Sequence, residues 1–516
     1  MNATPSHSTQ PPSIRWWPAA VILLLAVGNV VRIWLGDDSD AQAQTMRTIG
    51  TVLLACLLLV LWVMLASRLP WRRRLAVLAA LVVATGSAAV LFEIEGVTGN
   101  LVPIVTWRFG GEPVLGELSG SAQTATTPWD SPQFLGPRRD GVFPDAGLST
   151  DWESMPPREL WRREVGDAWS GFAVVGETAV TMEQRQGGEW VVAYVLKSGE
   201  PLWSHSIAEV YESVIGGHGP RATPTIAGGT VFTYGSSGVL RALSLADGRL
   251  LWHQDVQQTH GARIPEWGYA GSPLVTPDGL VVVVAGGDGQ LFVAYDAETG
   301  EKAWQGGSDS AMYASPAWME IGGVPQIVTL GDEFVTSVEP RAGRTLWQAE
   351  FETGHPKVAQ PMQLKGDLVL ASAGYGVGSK LYRVSPPASE GAAWSVEKLW
   401  DSPRLKSKFA NFVQRDGVIY GLDDGVLVAI DPQTGERHWK KGRYGHGQIL
   451  LVGDTILVQS EDGELLLVEA TPEEHRELAR MTALSDKSWN QPALSGRYLL
   501  VRNHKEAAVY ELPIEG

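Results

Sequence analysis

The sequence predicts an all-β repeat domain preceded by three transmembrane α-helices, and three observations carry that prediction. A glycine is followed four residues later by a tryptophan at Gly199–Trp203, Gly248–Trp252, Gly300–Trp304, Gly343–Trp347 and Gly435–Trp439. These tryptophans fall 49, 52, 43 and then 92 residues apart, the last interval being two periods. A period of about 40–50 residues marks a repeat architecture. The context repeats too: LRALSLADGRLLW, LFVAYDAETGEKAW and LVAIDPQTGERHW each join an alternating apolar run to a second run through a glycine turn, a hairpin signature. The third observation is a set of apolar runs confined to residues 1–95.

Those runs, 17–35, 48–66 and 75–92, are each about long enough to cross a bilayer. Arg32 lies near the end of the first, where it can snorkel to the interface. Arg15 precedes the first run, and Arg68, Arg72, Arg73 and Arg74 separate the second from the third. Asp37, Asp38 and Asp40 follow the first, and Glu93 and Glu95 follow the third. The positive-inside rule therefore predicts a multi-pass protein of the inner (cytoplasmic) membrane, N-terminus cytoplasmic and repeat domain periplasmic. Leu53-Leu54-Ala55-Cys56 loosely resembles a lipoprotein cleavage box, but Cys56 runs on into LLLVLWVML, so membrane helices are expected instead. No Asp, Glu or His cluster inside the runs points to a transport path. Residues 96–128 read as a juxtamembrane strip and linker, leaving 129–516 for the repeats.

Taking the Trp-bearing strand as the last of each repeat, the markers are Trp161, Trp203, Trp252, Trp304, Trp347, Trp400 and Trp439, with Leu478 as a degenerate end. Trp400 lacks the glycine, its turn being the longer SPPASEGAAW. Four short strands per repeat predict a β-propeller. Three strands remain after Leu478, and Glu159–Val165 offers the fourth from the other end of the chain, which closes eight blades; seven is the alternative. Closure by the two ends removes an open sheet edge. The repeated tryptophans are expected to fill the wedges between blades rather than to stack on a ligand.

Composition excludes some functions. The chain carries 41 Lys+Arg against 57 Asp+Glu, and residues 109–516 carry 33 against 52, a balance of −19. So acidic a body argues against nucleic-acid binding, which needs a basic footprint. The single Cys56 lies in an apolar run, which rules out a Cys-based metal cage.

The motif A-x-D-x-x-T-G-x-x-x-W, matched at Ala294–Trp304 and Ala429–Trp439, and the lead-in WDSPQFLGPRRDG resemble the quinoprotein-type, PQQ-like β-propeller family over about residues 129–513. That family takes in PQQ-dependent alcohol and glucose dehydrogenases and the non-catalytic outer-membrane assembly factor BamB. The resemblance implies pyrroloquinoline quinone (PQQ) with Ca²⁺ as a possible cofactor, the metal held by acidic and amide side chains and an Asp serving as base. The chain departs from the dehydrogenase pattern in its short ring, its lack of a vicinal Cys pair and the absence of an alignable Glu…Asn…Asp set.

A propeller site is expected on the face bearing the long connections, Ser204–Arg221, His253–Ala270, Gln305–Ala314, Gln348–Val358 and Asp401–Ala410. Arg221 leads the candidates, as a guanidinium able to fork onto a carboxylate or quinone oxygen or else to tie down its own loop. Glu212, His218, Arg263, Trp267, Tyr269, Tyr313, His355, Lys357, Lys408, Asn411, Trp489 and Asn490 complete the set, with Trp267 and Trp489 as a stacking floor or a plug. The tips Gly287-Asp288-Gly289, Asp423-Asp424-Gly425 and Glu461-Asp462-Gly463 are expected to be plain turns rather than Ca²⁺ loops. No zinc, dinucleotide or serine-hydrolase motif is indicated. The expected function is a membrane-anchored binding or scaffold module of the bacterial envelope, PQQ-binding-like without catalysis, engaging an envelope protein partner or a small planar ligand. The alternative is a PQQ-dependent membrane-bound dehydrogenase that oxidises an alcohol or sugar and reduces the quinone pool.

Overall fold

The computed structural model describes residues 14–36, 41–111, 113–122, 125–287, 290–389 and 391–515, in two compact units, Met1–Gly111 and Glu112–Gly516. Asp37, Asp38 and Asp40 lie outside the described residues, as do Asp288 and Gly289 of one hairpin tip.

The first unit holds the three transmembrane helices, α1 (Trp17–Leu35), α2 (Ala41–Leu65) and α3 (Trp71–Leu91). Helix α2 begins upstream of its apolar run because the polar residues there bond to α1. Gln44 Nε2 donates to the Ile33 carbonyl at 3.3 Å and Trp34 Nε1 to Thr48 Oγ1 at 3.1 Å. Asn29 Nδ2 reaches Thr51 Oγ1 at 2.9 Å, so the two helices share a polar seam. Helix α3 starts behind Pro70, whose carbonyl takes the N–H groups of Arg73 and Arg74. It passes directly into an antiparallel hairpin, β1 (Phe92–Val97) and β2 (Pro103–Trp107).

The second unit is an eight-bladed propeller of antiparallel sheets. Blades one to six occupy residues 173–207, 225–255, 274–306, 317–350, 362–402 and 412–443. The seventh, 448–482, carries a fifth strand, Val142–Phe143, laid parallel against Gln448–Val452. The eighth combines 493–511 with Arg158–Glu164, which pairs against Glu506–Glu511 and joins the two ends of the domain in one sheet.

The Gly–Trp repeat is an interblade lock. Five of the seven marker indoles lie on the turn glycine of the next blade: Trp161 on Gly199, Trp203 on Gly248, Trp252 on Gly300, Trp304 on Gly343 and Trp400 on Gly435. Those glycines have φ between 68° and 73°, and a Cβ there would strike the ring. The indole N–H then donates to the carbonyl three residues before the glycine, as from Trp203 to Leu245 at 2.7 Å and from Trp304 to Pro340 at 2.9 Å. Trp439 and Trp347 are the exceptions: Trp439 meets a turn without glycine and donates to the Thr471 carbonyl at 2.9 Å, while Trp347 faces the blade with the lengthened turn and donates to Gln326 Oε1 of its own blade at 2.7 Å. Packing, not ligand stacking, accounts for these residues.

Near the axis a second repeat ties the blades together. At the entry to each inner strand one register position is taken by Gly171, Thr223, Ser272, Ser315, Gln360, Asn411, Gln448 and Gln491, most followed by proline. Thr223 Oγ1 accepts from Gly171 N, Ser272 Oγ from Thr223 N, Ser315 Oγ from Ser272 N and Asn411 Oδ1 from Gln360 N, at 2.8–3.1 Å. Short polar side chains here satisfy inner-strand amides that face the axis and lack a ladder partner.

Candidate functional site

The face carrying the interblade connections and the second-to-third hairpins closes over a cluster of rings. Trp169 and Trp489 lie 4.9 Å apart, Trp489 and Phe409 4.6 Å, and Phe409 and Trp267 6.1 Å. Trp267 stacks on Tyr313 at 4.9 Å and 20°. Phe409 comes from the connection between blades five and six and Trp267 from that between two and three, so the cluster spans the mouth of the ring. Two buried ammonium groups cap it: Lys487 Nζ is 4.1 Å from the Trp489 ring, and Lys408 Nζ is 4.6 Å from Tyr375. Trp489 Nε1 donates to Glu461 Oε1 at 2.9 Å.

The other end of the channel is filled by the lead-in. The Asp130 carboxylate accepts from Thr127 and from Gly176 N, fixing the entry. Ser131 pairs with Val174 and the Pro132 carbonyl accepts from Ile226 N, on the inner strands of blades one and two. Arg139 is buried, its guanidinium donating to the Ser272 and Pro273 carbonyls at 3.1 and 3.0 Å, while its own carbonyl accepts from Gln360 Nε2. Burial pushes its pKa down to about 9, so it remains charged at neutral pH. WDSPQFLGPRRDG is thus the plug of the propeller.

The predicted site residues divide into three groups. Trp267, Tyr313, Lys408 and Trp489 meet in the ring cluster. Burial pushes the Tyr313 hydroxyl up to about 12. His355, exposed, stacks on Tyr375 at 6.4 Å beside it.

A second group serves the scaffold. Arg221 donates to the carbonyls of Gly216 and Gly217 at 2.9 and 2.7 Å, and to Gly219 O and Ser236 Oγ, over the ring of Tyr211. It binds its own loop, and burial pushes its pKa down to about 10. Lys357 pairs with Asp332 at 3.0 Å and donates to the His355 carbonyl; burial lowers its pKa against the pull of that carboxylate. Tyr269 packs on Tyr234 and donates to Ala285 O. Asn411 belongs to the axial belt, and Asn490 Nδ2 donates to Ala168 O and Ser170 O across the closing seam. The third group stays apart: Glu212 and Arg263 are exposed, and His218 lies 3.9 Å from the Asp167 carboxylate.

Trp169, Phe409, Tyr375 and Lys487 were not among the predicted residues, yet the axial repeat contains a signal for two of them. Two residues ahead of the belt position stand Trp169, Arg221, Tyr313, Phe409, His446 and Trp489. That register faces the funnel, but Gly171 and Asn411 are followed by phenylalanine rather than proline, so Trp169 and Phe409 come into view only when the spacing of the proline-marked blades is extended to theirs.

The Asp423-Asp424-Gly425 tip is engaged by lysines. Asp423 contacts Lys406 at 3.0 Å and Lys440 at 2.5 Å, and Lys406 also meets Asp424 at 2.6 Å. Burial alone raises the Asp423 pKa, but the bonds and charges of Lys440 and Lys406 outweigh it, and the net shift is downward. A carboxyl with a depressed folded-state pKa stabilises the fold above its unfolded pKa, near 3.8, and the contribution is lost as pH falls through the folded value. Stability of the wild type is therefore expected to fall more steeply below about pH 4 than that of Asp423→Asn. Denaturant midpoints measured from pH 6 to 3 check this, and parallel curves would refute it.

Trp267, Arg221 and Lys357 as they stand are not free to hold PQQ with calcium. A planar tricarboxylated quinone needs an open slot between flat side chains and cations free to meet its carboxylates. Here Trp267 already lies on Tyr313, Arg221 is taken by carbonyls and Lys357 by Asp332. Among the described residues no three His, Cys, Asp or Glu side chains gather as a metal site.

Comparison with known proteins agrees on the architecture. A quinohemoprotein alcohol dehydrogenase, ADH-IIG of Pseudomonas putida, is 31% identical over 249 residues, 43% of this chain. The match takes in only 32% of that dehydrogenase. BamB of Shewanella oneidensis is 28% identical over 347 residues, covering 60% of this chain and 77% of the relative. The crystal structure of BamB from Moraxella catarrhalis superposes with a TM-score of 0.50 at 16% identity, over 70% of this chain and 99% of that one. Quinohemoprotein alcohol dehydrogenase from Comamonas testosteroni gives 0.51 at 14% identity, over 76% and 83%. The family model described as outer membrane protein assembly factor BamB matches residues 158–264 and 187–441, more than half of the chain, and the chain belongs to that PQQ-like propeller family.

Proposed function

We propose that this protein is a membrane-anchored binding or scaffold module of the bacterial envelope, with the propeller in the periplasm and no catalysis of its own. The observation that carries this is the filled funnel. Its rings pack on one another, Arg221 and Lys357 are engaged by the protein's own acceptors, and the lead-in closes the far end. A reaction needs a place where substrate and reacting groups meet, and such a filled axis favours recognition on the outer surface of the loop face. There Val210, Val214 and Ile215 are exposed beside Glu212, a mixed apolar and acidic surface suited to an envelope protein partner. Arg15 before α1, Arg68 before α3 and Arg72–Arg74 in its first turn, against Glu93 and Glu95 after it, support the periplasmic orientation.

The deciding experiment titrates the full-length protein in nanodiscs with PQQ and Ca²⁺, following quinone absorbance and dye-linked oxidation of alcohols and sugars. Neither saturable binding nor turnover is expected. Saturable binding with turnover would overturn the proposal in favour of a dehydrogenase delivering electrons to the quinone pool.

A further inference from the structure

The hairpin that follows α3 has one apolar face. Phe92 pairs across the strands with Trp107 and Ile94 with Val105, so these four side chains stand on the same side. Phe92, Ile94, Val105 and Trp107 are 42%, 54%, 59% and 51% exposed, and Phe109, packed edge-on against Trp107 at 6.0 Å, is 63% exposed. The opposite side carries Glu93, paired with Thr106 in the ladder and bridged to Arg108 at 3.4 Å. Two strands with such a face in water are marginally stable at best. A contiguous patch of this kind calls for a covering.

The covering follows from continuity. The apolar part of α3, Leu75 to Leu91, follows Arg72–Arg74 and spans about 25 Å at 1.5 Å per residue, close to the hydrocarbon thickness, so with the arginines at one interface Leu91 lies near the other membrane boundary. Phe92 is the next residue, and no linker separates the lipid-facing helix from the hairpin. Aromatic side chains backed by a polar face are the composition that settles at headgroup level.

We infer that β1 and β2 lie on the bilayer as an interfacial hairpin, with Phe92, Ile94, Val105, Trp107 and Phe109 in the headgroup–acyl boundary and Glu93 and Arg108 toward water. The occupant of this face is lipid, and the hairpin stiffens the exit of the chain from the membrane. The inference rests on the helices crossing a bilayer, not on the propeller's role.

The test is spin-label accessibility in full-length protein reconstituted in phosphatidylcholine–phosphatidylglycerol nanodiscs. Cys56→Ser removes the native thiol, and single labels are placed at Val105→Cys, Thr106→Cys and, in α3, Val83→Cys. The expected result is a several-fold higher oxygen-to-nickel-chelate collision ratio at 105 than at 106, with 83 higher still. Equal, water-like ratios at 105 and 106 with a lipid-like 83 would overturn the inference alone. A label at 105 immobilised and shielded from both reagents would also overturn it, in favour of a protein partner on this face. A water-like 83 would instead mean that the anchoring itself fails.

Discussion

Replacing Arg502 by methionine is expected to lower the stability of the propeller by about 3–5 kcal/mol, the scale for losing several buried hydrogen bonds from one charged donor. The Arg502 side chain is 1% exposed and stands in the second strand of the eighth blade. Its guanidinium donates to Thr181 Oγ1 at 2.8 Å, the Met182 carbonyl at 3.0 Å and the Gly166 carbonyl at 2.9 Å. Thr181 and Met182 lie in the first blade, and Gly166 lies in the connection leading into it. One side chain therefore clamps the seam where the two ends of the domain meet. Burial pushes its pKa down to about 10, so the cation persists at neutral pH. Methionine fills the volume but takes the donor away from these buried acceptors, at about 1–3 kcal/mol for each one left without another partner. Arg502→Lys keeps the charge without the planar fork and is expected to fall between the two. Denaturant unfolding of the full-length protein measures the effect, and an unchanged midpoint in the methionine variant would refute the seam clamp.

Trp304→Ala is expected to cost about 3–5 kcal/mol, the usual range for a buried Trp truncation. The indole is 6% exposed, covers Gly343 of the next blade and bonds the Pro340 carbonyl. Gly343→Ala alone is also expected to destabilise, by about 2–4 kcal/mol, because φ is 68° and the new methyl meets the ring. The combination distinguishes a lock from two independent defects. With the indole gone, the methyl enters the vacated space and only the backbone strain remains, so the double variant should be more stable than the sum of the single losses by at least about 1 kcal/mol. Strict additivity in a double-mutant cycle would refute the contact.

The blades were legible because their signals are local. Alternation, a glycine at positive φ and a tryptophan at fixed spacing are written within about fifteen residues and repeat, so their number and the closing strand follow from counting. The lengthened SPPASEGAAW turn, visible as an irregularity, has a structural consequence in Trp347 bonding within its own blade. The funnel was only partly legible. Trp267 and Trp489 stood out as large rings in long connections, whereas Phe409 and Trp169 sit in short polar segments that propose nothing by themselves. The hairpin after α3 was masked by the strip's turn-rich composition, although Phe92, Ile94, Val105 and Trp107 alternate as a ribbon requires.

By itself the sequence determined the repeat, the count of blades, the three helices and the acidic character of the domain, all properties of neighbouring residues or of composition. Tertiary structure alone decided that the lead-in becomes a channel plug, that Arg221 serves its own loop, and that rings from opposite sides of the propeller meet across its mouth. The physical reason is distance along the chain. Arg139 meets Ser272 and Arg502 meets Thr181 only after eight sheets have closed, and whether a cation is free for a ligand depends on which carbonyls that closure brings to it.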